Sequence, residues 1–396
     1  MKQLTRIDRA RGSLLGLAIG DALGAPLEGL STQQVRQAYG QVVDYVDGVI
    51  AWRKKPHRWR LKGLYSDDTQ QALVLAECLL QCGKIDADWV AQAYMALSSP
   101  KGPYMGAHRG IGTSFRQALS LLEAGVPALA AGQDSAGCGA AMRIAPLALF
   151  YQNQTDQLLR DLAEVSRITH RDIRALAGAA AIAIAVDMFL AGASRQPSTL
   201  FRLAHRVAQA ESWLAQTFGR ELRCVDTHTH ALSVAIAHVE TLLELPRDQA
   251  FAQLMEEGNR HGPEQDCRRP TFGFTPVCIP TCLFALFTTD SFEDALVDVV
   301  NLGGDADTAG AMLGAMAGAF YGEMAIPERW RAGLRNREAI VTRAEALARR
   351  DPSLAAALPP WLDTERRLTR EESTMRDERI VQRQRGDDLG ANRGWR

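Results

Sequence analysis

Two short runs hold the densest chemistry in the chain: Ser66-Asp67-Asp68-Thr69 and Gly303-Gly304-Asp305-Ala306-Asp307-Thr308. Each sets two carboxylates and a hydroxyl directly before a stretch that reads as an apolar helix. Ser and Asp are favoured capping residues, and acids suit the positive end of a helix. A cap needs only one such side chain, so two runs built alike at distant positions point to a shared task. If the two helix starts face each other, four carboxylates meet. Two unit charges ~4 Å apart repel by about 4 kcal/mol at an effective dielectric of ~20. Helix ends, at roughly 0.3–1 kcal/mol each, cannot offset several such pairs. Divalent cations could, and carboxylate and hydroxyl oxygens are hard ligands that suit Mg²⁺ or Mn²⁺ rather than Zn²⁺. Spacing alone does not bring the two runs together.

Weaker signals lie between them. Gly137-Cys138-Gly139-Ala140 is a small-residue loop whose backbone amides could approach a phosphate or a ribose. Thr169-His170 ends one helical pattern and starts an Ala-rich one. A Cys138 thiolate with His170 as its base lacks a third, orienting group. Cys224, His228, His230 and His238 have zinc-type ligand chemistry, but His228 and His230 point to different faces of a helix, which favours a polar helix start.

The elements that must position these groups are helical. Periodicity recurs at Gln70 to Leu80, Ala87 to Leu97, Ile111 to Glu123, Gln157 to Ile168, Leu200 to Gln216, Ala231 to Leu243 and Phe292 to Val300, so the chain reads as all-α. Glycine recurs every fourth residue at Gly12, Gly16, Gly20 and Gly24, and again at Gly310, Gly314, Gly318 and Gly322. An interior helical Gly costs about 1 kcal/mol relative to Ala, so both ladders need an offsetting gain, and close backbone packing along one helix face supplies it. Acids flank each ladder: Asp21 and Glu28 the first, Asp305 and Asp307 the second.

Composition bounds the rest. The 396 residues carry 45 Lys plus Arg against 46 Asp plus Glu, with 46% hydrophobic and 23% charged residues, the balance of a globular protein with a sizeable core. Near-neutral charge gives no basic stripe, which argues against a nucleic-acid partner. The longest apolar run, Ala175 to Ala191, is Ala-rich, carries Asp187 and reads as a buried helix, and no segment reads as a membrane span or signal peptide. Seven cysteines without framework spacing indicate reduced thiols and a cytoplasmic protein. From Asp363 to Arg396, 17 of 34 residues are charged, as in an exposed ion-paired helix or a disordered end, and no chemistry is expected there.

Taken together, the motifs resemble the ADP-ribosylglycohydrolase family, also called the dinitrogenase reductase activating glycohydrolase family. The resemblance runs from about Arg11 to Gly322. Its landmarks stand in family order: Arg11 to Glu28, Ser66 to Gln70, His108 to Gly112, Gly137 to Leu147, Thr169-His170 and Asn301 to Thr308. The resemblance implies a compact, orthogonal all-α domain with a binuclear Mg²⁺ or Mn²⁺ cleft and the removal of ADP-ribose from a modified protein side chain or an ADP-ribose-containing small molecule. It makes Ser66, Asp67, Asp68, Asp305, Asp307 and Thr308 the metal ligands. Glu28, Asp67 and Asp305 become the candidates for proton handling, with Glu28 matching an acid that gates the site in some members. Gly137, Cys138, Gly139, Ala140 and His170 would bind the diphosphate and distal ribose, and Gly110 and Gly112 the adenosine side. Cys138 stands where relatives commonly have Asn. Phe272 to Leu286 departs from the usual Gly-Tyr-rich stretch, where contact with the leaving group or adenine is expected. Convergence of acids from both ends requires residues 1–345 to form one domain, with 346–396 a charged extension. A different class, an immunity protein that occludes an ADP-ribosyltransferase toxin on the same scaffold, is the alternative.

Overall fold

Helix α1 (Arg6–Gly24) begins at a capping box in which Thr5 and Asp8 satisfy each other's backbone N–H groups. It runs antiparallel to α14 (Ala306–Tyr321) in the contact on which the fold is centred. A Cβ placed on Gly12, Gly16, Gly20 or Gly24 would collide with the backbone carbonyl of Gly318, Gly314, Gly310 or Ala306 respectively, and the reverse collisions hold for Gly310, Gly314 and Gly318. The glycines therefore let two backbones touch directly, which is the gain that offsets their helical cost. Ser13, fully buried in the same interface, donates to Ala315 O at 2.9 Å.

The computed structural model describes residues 4–52, 55, 58–98, 106–224, 228–263 and 265–384. Between α1 and α14 the chain forms α2 (Thr32–Tyr39), α3 (Asp67–Cys82), α4 (Ala87–Leu97), α5 (Thr113–Glu123), α6 (Ala145–Phe150), α7 (Thr155–Arg167), α8 (Ile173–Leu190), α9 (Pro197–Phe218), α10 (Ala231–Leu242), α11 (Arg247–Asn259), α12 (Thr275–Thr288) and α13 (Phe292–Val300). After α14 come α15 (Glu328–Gly333), α16 (Arg337–Arg349) and α17 (Trp361–Gln384). Among the described residues there is no β-strand, only isolated bridges such as Ser31 with Gly303 and Gly137 with Phe274. The all-α architecture matches the expectation.

Around the α1–α14 pair stand α3, α8, α12, α13 and α16. Helix α8 is apolar and long enough to cross a bilayer, yet 94% of that stretch is buried inside the protein, so it serves as a core helix. Helix α12 corrects one expectation. From Thr275 to Leu286 every residue is buried against the core, so the altered stretch reaches the cleft only through Phe272 and Gly273.

The boundary expected between 345 and 346 falls inside α16. Beyond it α17 packs on α3 and α4, and three of its ionic side chains, Glu365, Glu372 and Arg376, are buried. The expected tail after residue 384 lies outside the described residues.

Gly314→Val in the ladder is expected to cost more than about 4 kcal/mol, the range of severe core disruption. Gly192→Ala, at φ +88° with nothing near its would-be Cβ, carries only local backbone strain. Urea unfolding of both variants checks this, and near-equal losses would remove the backbone-contact account.

Candidate active site

The antiparallel register puts the C-terminal end of α1 beside the start of α14, since Gly24 abuts Ala306. The connection is sealed by backbone: Gly29 N donates to Gly304 O at 2.6 Å and Gly304 N to Leu30 O at 2.8 Å. Gly303 and Gly304 both have φ +69°, and a Cβ on Gly304 would collide with the Thr271 hydroxyl, so this turn requires glycine.

The other acidic motif is drawn in by Asp21. Its carboxylate, wholly buried on α1, accepts from Ser66 N at 2.7 Å, from Thr69 N at 3.0 Å and from Thr69 Oγ1 at 2.6 Å. Asp21 thus caps α3 from a different helix and frees Asp67 and Asp68 from that duty. Ser66 is the local N-cap; its hydroxyl donates to Asp68 Oδ2 at 2.9 Å. The two acidic runs, far apart in sequence, meet in one cavity of about 240 Å³ lined by Asp67, Asp68, Asp305, Asp307, Thr308 and Glu28.

The same cavity is also lined by Gly110, Gly112, Gly137, Gly139 and His170. Gly110 has φ +91°, and a Cβ there would stand 3.2 Å from Asp67 Oδ1, which would crowd the acids. A Cβ on Gly139 would press to 2.7 Å from the His170 ring. Cys138 and Ala140 are buried and do not line this cavity, so their side chains stand behind the loop rather than in the cleft. Ser66 also sits behind the lining, wholly buried.

Burial governs the charges. It pushes Asp67, Asp68 and Asp307 well above the usual carboxylate range, and repulsion from neighbouring carboxylates, Asp21 and Glu28 among them, adds to this. Asp305, partly exposed, is pushed up to about 7 by burial first, then by Cys278 and Glu28. His170 goes the other way, down to about 3, through burial and the nearby Arg143 guanidinium. Contact with the Cys278 thiol, together with burial, pushes Cys138 well up, so a thiolate–imidazolium couple does not form with His170.

Sequence reasoning missed the polar chain behind this lining. Gln71 Nε2 donates to Asp67 Oδ2 at 2.6 Å, and the fully buried Arg143 donates to Gln71 Oε1. Arg143 Nη2 also donates to Thr169 Oγ1 at 2.6 Å, and that hydroxyl lies 2.8 Å from His170 Nδ1. Arg143 therefore links the acidic wall to the histidine wall. Its signal in the sequence is a lone charge inside the apolar stretch Ala140 to Leu147. Arg58 was missed as well: its Nη1 lies 3.3 Å from Glu28 Oε1 at the mouth.

Glu28 borders two further grooves, each sharing lining residues with the central cavity. One, of about 530 Å³, has Arg58, Arg268, Arg269 and Phe272 in its wall; the other, of about 510 Å³, runs between the loop at 108–113 and α17. The central cavity alone falls below the ~300–1,000 Å³ of small-molecule sites, and the grooves supply the remaining room.

Residues 2–357 match the ADP-ribosylglycohydrolase family. The chain belongs to that family. It is 32% identical over 336 residues to an uncharacterised protein of Archaeoglobus fulgidus, covering 84% of this chain and 93% of that protein. It is 29% identical over 325 residues to the ADP-ribosyl-[dinitrogen reductase] glycohydrolase of Rhodospirillum rubrum, covering 82% and 89% of the two chains. A solved structure titled an ADP-ribosylglycohydrolase-related protein complex superposes with a TM-score of 0.62 at 32% identity, over 87% of this chain and 99% of the other. The protein is an ADP-ribosylglycohydrolase, and the acidic cavity is where its two signature motifs meet.

Among the described residues no three His, Cys, Asp or Glu side chains already converge as a formed cation site. The donor chemistry nevertheless fits a hard cation: carboxylates and a hydroxyl share one cavity, and the buried Asp68 Oδ1 has no hydrogen-bond partner.

A group held above its unfolded pKa stabilises the fold at low pH and loses that contribution as pH rises through the folded value. Asp67, Asp68, Asp305 and Asp307 are all of this kind. His170, held below its ordinary value, pulls the other way up to about pH 7.5, because the unfolded imidazole is only half neutral at pH ~6.5. With chelator present, the melting temperature of the native enzyme should therefore fall relative to that of Asp307→Asn as pH rises above about 4, a comparison in which the histidine contributions cancel. A difference between the two proteins that stays constant with pH in chelator would contradict the assignment.

Proposed function

We propose that the enzyme removes ADP-ribose from a modified protein side chain by cleaving the bond at C1″ of the ribose, with two divalent cations, Mg²⁺ or Mn²⁺, as cofactors. The observation that carries this reading is the convergence of Asp67, Asp68, Asp305, Asp307 and Thr308, with Glu28, on one cavity also lined by Gly110, Gly137, Gly139 and His170. Asp67, Asp68, Asp305, Asp307 and Thr308 would hold the cations, with Ser66 contributing from behind Asp68. When bound, such cations bind ribose hydroxyls and acidify a water.

The chain's own groups supply the rest. Gly137 and Gly139 let a diphosphate approach the backbone, since a side chain at Gly139 would strike His170. His170 stays neutral, so the ring offers hydrogen bonds to a distal ribose without adding charge. Asp67 is steadied by Gln71, which Arg143 holds in turn. In hydrolysis, water gives its hydroxide to C1″ and its proton to the departing side chain. Glu28, which borders the cavity and both grooves, is placed to carry that proton, with Asp67 and Asp305 the other candidates. A protein-borne side chain suits the open mouth at Glu28 and Arg58. Acids and hydroxyls at every expected ligand position favour catalysis over occlusion.

Asp305→Ala is expected to lower divalent-dependent release of ADP-ribose from a modified protein by about 1,000-fold or more, on the order of 4 kcal/mol of lost transition-state stabilisation. Chromatographic quantitation of released ADP-ribose measures this. Release that survives in Asp305→Ala, or that is indifferent to chelator in the native enzyme, would remove the metal reading. Glu28→Gln should depress kcat more than ADP-ribose affinity, since the change keeps the shape and removes the proton acceptor.

A further inference from the structure

The C-terminal helix α17 lies beyond the residues that match the family, and its sequence suggests only a solvated, ion-paired surface. Its attachment says otherwise. Glu365 is 1% exposed. Its carboxylate accepts from Tyr65 Oη at 2.6 Å, from Gln70 Nε2 at 2.9 Å and from Arg109 Nη2 at 2.7 Å. These donors flank the chemistry. Tyr65 immediately precedes Ser66, Gln70 lies within the first turn of α3, and Arg109 precedes Gly110.

A second layer joins the same pieces. Arg109 N donates to Gln70 Oε1 and Arg109 Nε to Tyr65 O, both at 2.9 Å. From α17, Thr369 Oγ1 donates to Ala107 O and accepts from Arg109 Nη1, again both at 2.9 Å. The acidic wall at 66–70 and the glycine wall at 107–112 are therefore hydrogen-bonded to one another through a buried carboxylate supplied by α17. Beside these polar bonds, Leu368 is buried and Trp361, Leu362 and Ile380 are half-buried against the core.

We propose that α17 is a working part of the active site, with Glu365 as a positioning residue that fixes the spacing between the Ser66–Asp68 motif and the Gly110–Gly112 loop, and so the width of the slot that takes ADP-ribose. The ligand part of this rests on the function proposed above. A charged acceptor serves better than a neutral one because all three donors, one of them a guanidinium, must be satisfied in a site closed to solvent. Leaving Arg109 buried without its partner would let the loop move away from α3 to solvate the guanidinium.

The test uses the full chain and two readouts. In Glu365→Ala, hydrogen–deuterium exchange at amides 66–70 and 107–112 is expected to accelerate at least about tenfold, while α1 and α14 keep their protection. Calorimetric titration with ADP-ribose in Mn²⁺ or Mg²⁺ should show at least about a tenfold loss of affinity below the melting temperature. Thr369→Val, which touches only the glycine wall, should weaken binding about threefold. Native exchange and native affinity in Glu365→Ala, with only a lower melting temperature, would reduce α17 to a structural brace and overturn the proposal. If Glu365→Ala does not fold, Thr369→Val and Glu365→Gln decide by the same readouts, and native values in both overturn it. Failure of the unmutated protein to bind ADP-ribose would count against the proposed function, while the exchange data would still judge Glu365.

Discussion

The direct contact of two helix backbones is the constraint on which this structure depends. Where α1 and α14 meet, carbonyl oxygens occupy the space that Cβ atoms would need. At the glycine positions such an interface has no side chains to adjust, so the two helices are held closely against one another. Glu28 follows the end of one helix, while Asp305 and Asp307 stand at the start of the other. Their separation is thus set by main-chain geometry rather than by rotamers. Asp21, on the same helix, extends the control to α3 through the backbone N–H groups of Ser66 and Thr69. One helix therefore places both acidic motifs, a form of preorganisation that the chemistry of a charged site requires.

The electrostatics follow from that placement. The acids are held close and largely shielded from solvent, so each resists ionisation, and the nearby Arg60 charge offsets this only in part at Asp67. Arg143 is buried nearby, yet it binds Gln71 and Thr169 and reaches the carboxylates only through Gln71. Arg58 meets Glu28 at the rim. An arginine placed directly on Asp307 would stabilise the fold but occupy the oxygens that a hard cation needs. Indirect support by amides and hydroxyls leaves those oxygens available.

Much of this is legible in the sequence. The all-α class follows from periodicity, the close packing of the ladders from the glycine spacing, and the site from two acid-rich helix starts. The face-to-face meeting of those starts does not, because it depends on which helices pair and in which direction. Arg143 and Gln71 stay hidden because their roles lie in contacts across helices, where a polar residue in an apolar run looks like an ordinary surface position. Cys138 is assigned to the ligand loop by its neighbours, whereas the tight turn at 138–140 points its thiol toward Cys278. Glu365 is hidden most fully. Within a segment that is half charged, one buried carboxylate cannot be told from the solvated ones.

The glycine ladder has a consequence for how the chain finds this arrangement. In the native pairing Gly24 lies against Ala306, so three glycines of α1 face glycines of α14. Sliding α14 by one turn would set Gly12, Gly16, Gly20 and Gly24 against Gly322, Gly318, Gly314 and Gly310, an equally smooth fit displaced by about 6 Å. The ladder is thus a track with more than one stop. What selects the native stop is polar: the backbone pairing of Gly29 and Leu30 with Gly304 and the bond from the Thr32 hydroxyl to Leu302 O. A chain caught one turn away would be compact and helical, with its acids scattered, and could recover only by pulling the paired helices apart.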